Sequence, residues 1–384
     1  MSRVLRIGVA FPGDPSQPAT WSGTPSGVMR GLAEVGVEPI ALNVEPPRLL
    51  RKAAVHVLSV RYLRPRRDVR AAVVQARAAA RGTPAFTSLQ SWAAPRALRR
   101  AGHLDGIVQI GTGYTLATEV PVATFEDMTV LQTKTHPYLG WDLLSPRAFE
   151  ARVESQRRAY AAAIACCLTS RWAAESVIRD YGIAPEKVHA VGVGRNHTAP
   201  AVERDWSTLR FLFVGMDWPR KNGDGVLRAF SRLRAELPDA RLDVVGGHPP
   251  IDAPGVTAHG VLRLDVPEQH ATLERLFGEA TCFVMPSHSE ASAIAYVEAA
   301  AAGLPSIGTS AGGSDYLIGD GGLIVDPGDD EELVTAMRRL SDPDTAAAMG
   351  AAALRRSELF TWPAVARRLL RALEGAPAEP LAAD

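Results

Sequence analysis

The stretch SHSEASAIAYVEAAAAGLP, Ser287–Pro305, sets two acids, Glu290 and Glu298, into a segment that is otherwise small and apolar. An apolar run, Cys282–Pro286, leads into it, and Pro286 stops that strand because proline has no N–H for a ladder. Ser287–Ser289 bring turn and cap chemistry, so a helix is expected from near Ser292. Glu290 then sits just before the helix and Glu298 about two turns inside. At ~1.5 Å rise per residue the two lie roughly 12 Å apart. A strand feeding a helix N-terminus is one βα unit, and the rest of the chain repeats that pattern.

Upstream, short apolar runs that read as buried strands fall at Val4–Phe11, Glu38–Val44, Gly106–Ile110, Val120–Phe125, Ile164–Thr169 and Val188–Val191. A polar, irregular patch, Arg195–Arg210, interrupts them. Strands resume at Phe211–Val214, Leu242–Val245, Val256–Ala258, Cys282–Pro286, Ser306–Thr309 and Gly322–Val325. Segments with helical spacing separate them, which predicts an α/β chain of two doubly wound Rossmann-like domains. The expected domains are 1–200 and 201–360. A last helix, Trp362–Leu373, within 361–384, is expected to cross back to the first domain, and the Pro/Ala-rich end to fray.

Composition narrows the function classes. Of 384 residues 46% are hydrophobic, enough for two cores, and Lys+Arg balances Asp+Glu at 42 each. No global field draws the chain to nucleic acid or to a membrane. Cys166, Cys167 and Cys282 stand among apolar neighbours and read as reduced core residues. The N-terminus has no run long enough for a signal peptide or span, so a cytoplasmic location is expected.

Physically, two acids flanking a helix start have a possible common use. The free N–H groups of Ala291–Ile294 would meet a diphosphate, Glu290 would bond sugar hydroxyls, and Glu298 would grip a ribose diol. Equally, Glu290 caps the helix and Glu298 meets a buried cation. In FLFVGMDWPRKNGDGVLRAF, Phe211–Phe230, Gly215 ends a strand and Arg220–Lys221 follow in the loop, placed to neutralise a diphosphate leaving group. DVVGGHPP brings Gly246, HGVL brings Gly260, Val261 and Leu262, and SAGGSDYL brings Gly312 and Gly313, where backbone can approach a ligand closely.

Taken in order, VGMDWPRKNG, DVVGGHP, HGVL, SEASAIAYVEAAAAGLP, SAGGSDYL, DGGLIVDPGD and FTWPAVARRLL make residues 211–373 resemble the retaining GT-B glycosyltransferases of family four, the group 1, glycogen-synthase-like enzymes. Residues 1–200 resemble them in strand pattern and an N-terminal glycine loop. The resemblance implies a GT-B fold, an NDP-sugar donor (UDP-, GDP- or ADP-hexose), no required cofactor or metal, and same-face transfer with retention. It puts the donor-phosphate lysine at Lys221, the sugar-facing acid at Glu290, the ribose-facing acid at Glu298 and the glycine turn at Gly312–Gly313. Ala293 and Ile294 line the phosphate approach. Three positions depart from the family pattern. Met216 stands where an arginine is usual, with Arg220 available to replace its charge. Ala293 replaces a glycine, and VATFEDMTVLQ carries Glu126 and Asp127 where relatives have histidine.

Asp127 is therefore also a candidate general base for an inverting reaction. The acceptor, a small metabolite, lipid or saccharide, is expected on the first domain. There TWSGTPSG, with Gly27 opening a helix as a second phosphate anchor, QIGTGYTL and HPYLGWDL offer glycines and aromatic walls. Arg48–Arg81 carries ten Lys/Arg and one acid, Asp68, and suggests solvated helices, an anionic acceptor or weak contact with a membrane surface. A nucleotide-sugar epimerase using Asp127 and Glu290, or a non-catalytic sugar-nucleotide binder, remain open alternatives.

Overall fold

The computed structural model describes residues 3–18, 20–63, 68–136, 139–197 and 203–376. The chain forms two compact units. One runs to Gly192 and takes up the chain again at Trp362; the other is Val193–Thr361. Residues 198–202, within the polar patch read as a boundary, lie outside the described residues.

Unit 1 holds strands β1 (Arg6–Phe11), β2 (Glu38–Asn43), β3 (Gly106–Ile110), β4 (Val122–Glu126), β5 (Ala165–Leu168) and β6 (Val188–Ala190). All pair in parallel, in the order β2-β1-β3-β4-β5-β6. Its helices are α1 (Thr24–Glu34), α2 (Arg48–Ser59), α3 (Val69–Gly82), α4 (Pro84–Ala101), α5 (Pro146–Ala162) and α6 (Arg171–Tyr181). Cys166 and Cys167 are buried free thiols on β5.

Unit 2 holds β7 (Arg210–Gly215), β8 (Arg241–Gly246), β9 (Val256–Gly260), β10 (Cys282–Val284), β11 (Ser306–Thr309) and β12 (Gly322–Val325). They too are parallel, in the order β12-β11-β10-β7-β8-β9. Its helices are α7 (Gly223–Glu236), α8 (Pro267–Glu279), α9 (Ile294–Ala301), α10 (Ser314–Ile318), α11 (Asp330–Arg339) and α12 (Pro343–Ser357). Phe211, Phe213, Phe230 and Phe283 anchor one continuous core beneath this sheet. Strands buried on both faces are mostly apolar, which is why short apolar runs marked them in the sequence.

The last helix, α13 (Trp362–Leu373), belongs to unit 1 and packs on α1. Gly27 and Gly31 make that contact possible. A Cβ on Gly27 would lie 2.0 Å from the Trp362 ring, and one on Gly31 2.3 Å from its carbonyl oxygen. Helix α1 begins at Thr24, so Gly27 lies inside it and serves packing. The expectation that Gly27 opens the helix is corrected. Among the described residues no helix is long and apolar enough to cross a membrane.

Candidate functional site

In each sheet the strand order reverses beside the first strand of its unit, between β1 and β3 and between β7 and β10. Loops leaving the carboxyl ends of such neighbouring strands diverge to opposite faces and open a crevice there. Both units place polar side chains at that point.

In unit 2 the loop after β7 supplies Arg220 and Lys221, and the loop after β10 supplies Glu290. Lys221 Nζ donates to Glu290 Oε2 at 2.5 Å and Arg220 Nη1 to the same oxygen at 3.2 Å. Arg220 Nη1 also donates to the Ser289 carbonyl at 2.8 Å. Lys221 and Glu290 are both 8% exposed, so each needs the other as counter-ion. Burial pulls the Lys221 ammonium below its ordinary value, and the Glu290 charge opposes that shift. The two cations expected to neutralise a diphosphate both pair with Glu290 in the structure, with Asp217 3.5 Å from Arg220 at the exposed rim.

Backbone fixes the carboxylate's position. Glu290 N–H donates to the Ala311 carbonyl and Gly313 N–H to the Glu290 carbonyl, a parallel bridge with Gly312. Gly312 has φ +126°, and a Cβ there would sit 1.8 Å from the Glu290 oxygen, so only glycine fits. Gly246 is similarly constrained, with φ +116° and a virtual Cβ 2.0 Å from the Gly215 oxygen. Asn222, in the left-handed region at φ 58°, ends the Pro219–Asn222 turn that presents Lys221, and its amide donates to the Pro327 carbonyl.

Helix α9 starts at Ile294, two residues later than expected, and its N-cap, Ala293, provides no side-chain cap. The chain from Glu290 to Ala293 is not helical, because the bridge with Gly312 holds it. Glu298 is therefore one turn inside α9 and not two, and helical rise does not set its distance from Glu290. Its carboxylate accepts the backbone N–H groups of Asn196 and His197, while burial pushes its pKa up to about 7. It borders a small cavity with His197, His270 and Phe277. Gly260, at φ +67°, ends β9 and donates its N–H to His248, with Val261 exposed beyond it.

In unit 1 an open cavity of about 200 Å³ is bordered by Trp21, Thr112, Glu126, Asp127, Trp141 and Arg152. The three loops that sequence reading singled out separately, TWSG, QIGTG and GWDL, all reach it. Pro137 and Tyr138 of the third lie outside the described residues, and Tyr114 of the second is core, its hydroxyl donating to the Ala10 carbonyl. Trp21 and Ser22 sit at φ 42° and 53°, a left-handed strain rarely kept without local cause.

Glu126 ends β4 and is 6% exposed. It accepts Thr112 Oγ1–H at 3.0 Å and the Gln156 amide at 3.2 Å. Burial, with the Asp127 charge beside it, pushes its pKa up to about 7. Arg152, also 6% exposed, gives one N–H to the Thr112 carbonyl at 2.9 Å. Arg152 and Gln156 went unnoticed in the sequence. Their spacing of four on α5, on the face that also buries Tyr160, was the available signal.

Two doubly wound Rossmann-like units in one chain define the GT-B fold class, and each has polar groups at its switch point. Residues 208–342 match the family model for glycosyl transferases group 1. A D-inositol 3-phosphate glycosyltransferase of Nocardioides sp. is 30% identical over 243 residues, 54% of this chain and 52% of the relative. A GDP-mannose-dependent alpha-(1-6)-phosphatidylinositol monomannoside mannosyltransferase of Mycolicibacterium smegmatis is 33% identical over 151 residues, 35% of this chain and 39% of the relative. The chain thus spans about half the length, or less, of these curated relatives. The solved sucrose-phosphate synthase from Thermosynechococcus elongatus shares the fold, with TM-score 0.63 and 17% identity over 96% of this chain and 98% of that one.

Proposed function

We propose that this chain is a glycosyltransferase that takes a hexosyl unit from an NDP-sugar held by unit 2 and passes it, with retention, to an acceptor held in the unit 1 cavity. The observation that carries the reading is the Arg220–Lys221–Glu290 cluster at the switch point of the unit 2 sheet, in a segment of group 1 glycosyltransferase sequence. A diphosphate entering there draws Lys221 and Arg220 partly off Glu290. The freed carboxylate can then accept hydroxyls of the donor sugar, and the uncapped N–H groups of α9 favour the phosphates. Charge that builds on the leaving diphosphate is met by two cations already in position, where a metal would otherwise serve. A phosphate oxygen on the same face takes the acceptor's proton, so no dedicated carboxylate base is needed. Glu298 would exchange at least one of its backbone donors to hold a ribose diol.

On the acceptor side, Trp21 and Trp141 offer faces for a ring, and Glu126 and Asp127 accept hydroxyls. A polyhydroxylated ring suits that lining, in keeping with the inositol-containing acceptors in the relatives' names.

The test is incubation with UDP-, GDP- and ADP-sugars. One donor should raise the melting temperature by mass action, be hydrolysed slowly alone, and transfer with its anomeric configuration kept. Inversion would move the role to Asp127 as base, and an altered sugar on an intact diphosphate would mean an epimerase. Binding with neither reaction would mean a sugar-nucleotide binder. No stabilisation by any sugar nucleotide would sink the reading.

A further inference from the structure

Helices α2 and α3 of unit 1 turn the wrong residues outward. Seven of the sixteen large hydrophobic side chains that stay exposed among the described residues fall between positions 49 and 74. On α2 and the turn after it, Leu49 is 81% exposed, Val57 69% and Val60 58%, whereas the buried positions of the helix are Val55 and Ser59. At about 100° per residue, Leu49, Leu50, Ala53, Val57 and Val60 share one solvent-facing arc, with Lys52 and His56 along its edge. Helix α3 buries a stripe of alanines, Ala72, Ala76, Ala79 and Ala80, and turns Val69, Val74, Arg70, Arg77 and Arg81 outward. The two helices pack on each other.

Charge follows the apolar side chains. Arg51 pairs with Glu45, but Arg48, Lys52, Arg61, Arg70, Arg77 and Arg81 form no ion pair among the described residues. Burial, and the charges of Arg51 and Arg77, hold the Arg81 guanidinium below its ordinary value. Exposed leucine and valine ringed by unpaired cations suit a partner that offers apolar contact and negative charge together.

We propose that this face of α2 and α3 docks on an anionic lipid bilayer, its aliphatic side chains entering the headgroup boundary and its cations meeting lipid phosphates. Both features are used at once by such a surface. Nucleic acid would satisfy the cations and leave Leu49, Val57 and Val69 in water. A protein partner would call for aromatic anchors, and this arc has none. At 12 and 14 residues the helices are too short to span, so the contact is peripheral.

The experiment is co-sedimentation of the full chain with vesicles of phosphatidylcholine, alone or with about one third phosphatidylglycerol. The expected result is binding to the anionic vesicles only, weakened by salt. Leu49→Asp with Val57→Asp should lower partitioning about tenfold or more, and Arg70→Gln with Arg77→Gln about fivefold per cation. Leu354→Asp, an exposed leucine of unit 2, should change nothing, and circular dichroism should report all three variants folded. Absence of wild-type binding overturns the proposal, as does binding that survives Leu49→Asp/Val57→Asp. It is equally overturned if that variant instead abolishes a dimer, or if wild type prefers duplex DNA to vesicles at equal salt. The readout needs neither donor nor transfer, so it stands or falls apart from the glycosyltransferase reading.

Discussion

Replacing Glu290 with glutamine keeps the shape of the unit 2 site and deletes its only buried negative charge at that oxygen. Arg220 has 38% of its side chain exposed and can turn to water, so the cost falls on Lys221, whose side chain is 11% exposed. Removing one partner of a buried pair costs roughly 3–5 kcal/mol. With Arg220's relief the lower end is expected, about 3 kcal/mol at pH 7. For a unit of this size that corresponds to a fall in melting temperature of roughly 6–12 °C. The loss should depend on pH in a definite direction. Lys221 already titrates below the 10.5 of a free lysine, and without Glu290 it drops further. Between the folded and unfolded values the unfolded chain binds the proton that the folded chain releases, so stability rises with pH. Calorimetry of the unit 2 transition should therefore show a smaller deficit at roughly pH 9.5 than at pH 7. Adding Lys221→Met should restore about 2 kcal/mol, since the stranded charge is then gone. A deficit equal at both pH values, or a double variant less stable than Glu290→Gln alone, would refute the reasoning.

Three further outcomes are expected. Lys221→Ala should weaken binding of the cognate nucleoside diphosphate about 10- to 100-fold by calorimetric titration, the worth of a charge-assisted bond, whereas Glu290→Gln, which removes a competitor for that lysine, should leave it equal or tighter. Gly312→Ala should destabilise unit 2 by at least about 1–3 kcal/mol and weaken nucleotide binding, because its Cβ meets the Glu290 carbonyl at 1.8 Å; unchanged values on both counts would contradict the steric account. Glu126, raised from 4.5 to about 7, holds a proton in the folded chain that the unfolded chain has lost. Its contribution is therefore greatest at low pH and disappears as pH rises through about 7, some 2–3 kcal/mol between pH 5 and 8. Urea unfolding of Glu126→Gln should lack that share of the slope.

The strands, the parallel pairing and the residues of the unit 2 cluster were legible because each is local. An apolar run marks a strand, and Arg220–Lys221, Glu290 and Gly312–Gly313 each follow one directly. Two things were not. The setting of Glu298 depended on where α9 starts, and a backbone bridge to Gly312, distant in sequence, delays that start to Ile294. The unit 1 cavity draws on Trp21, Thr112, Glu126, Trp141 and Arg152, from five separate stretches. Arg152 and Gln156 lie in a highly charged helix, where the spacing of four from Arg152 to Gln156 and on to Tyr160 is the one local mark of the inward face. Gly27, read as a phosphate anchor, is small because Trp362 needs the room.

That last contact bears on how the protein is made. A ribosome releases everything up to Gly192 long before Trp362, yet the indole that fills the notch at Gly27 and Gly31, and the Arg368 guanidinium that donates to the Val191 carbonyl at 2.8 Å, arrive only with the final helix. The first-synthesised half waits, incomplete, through the translation of the whole second half, and a chain stopped at Thr361 would leave that notch open to water.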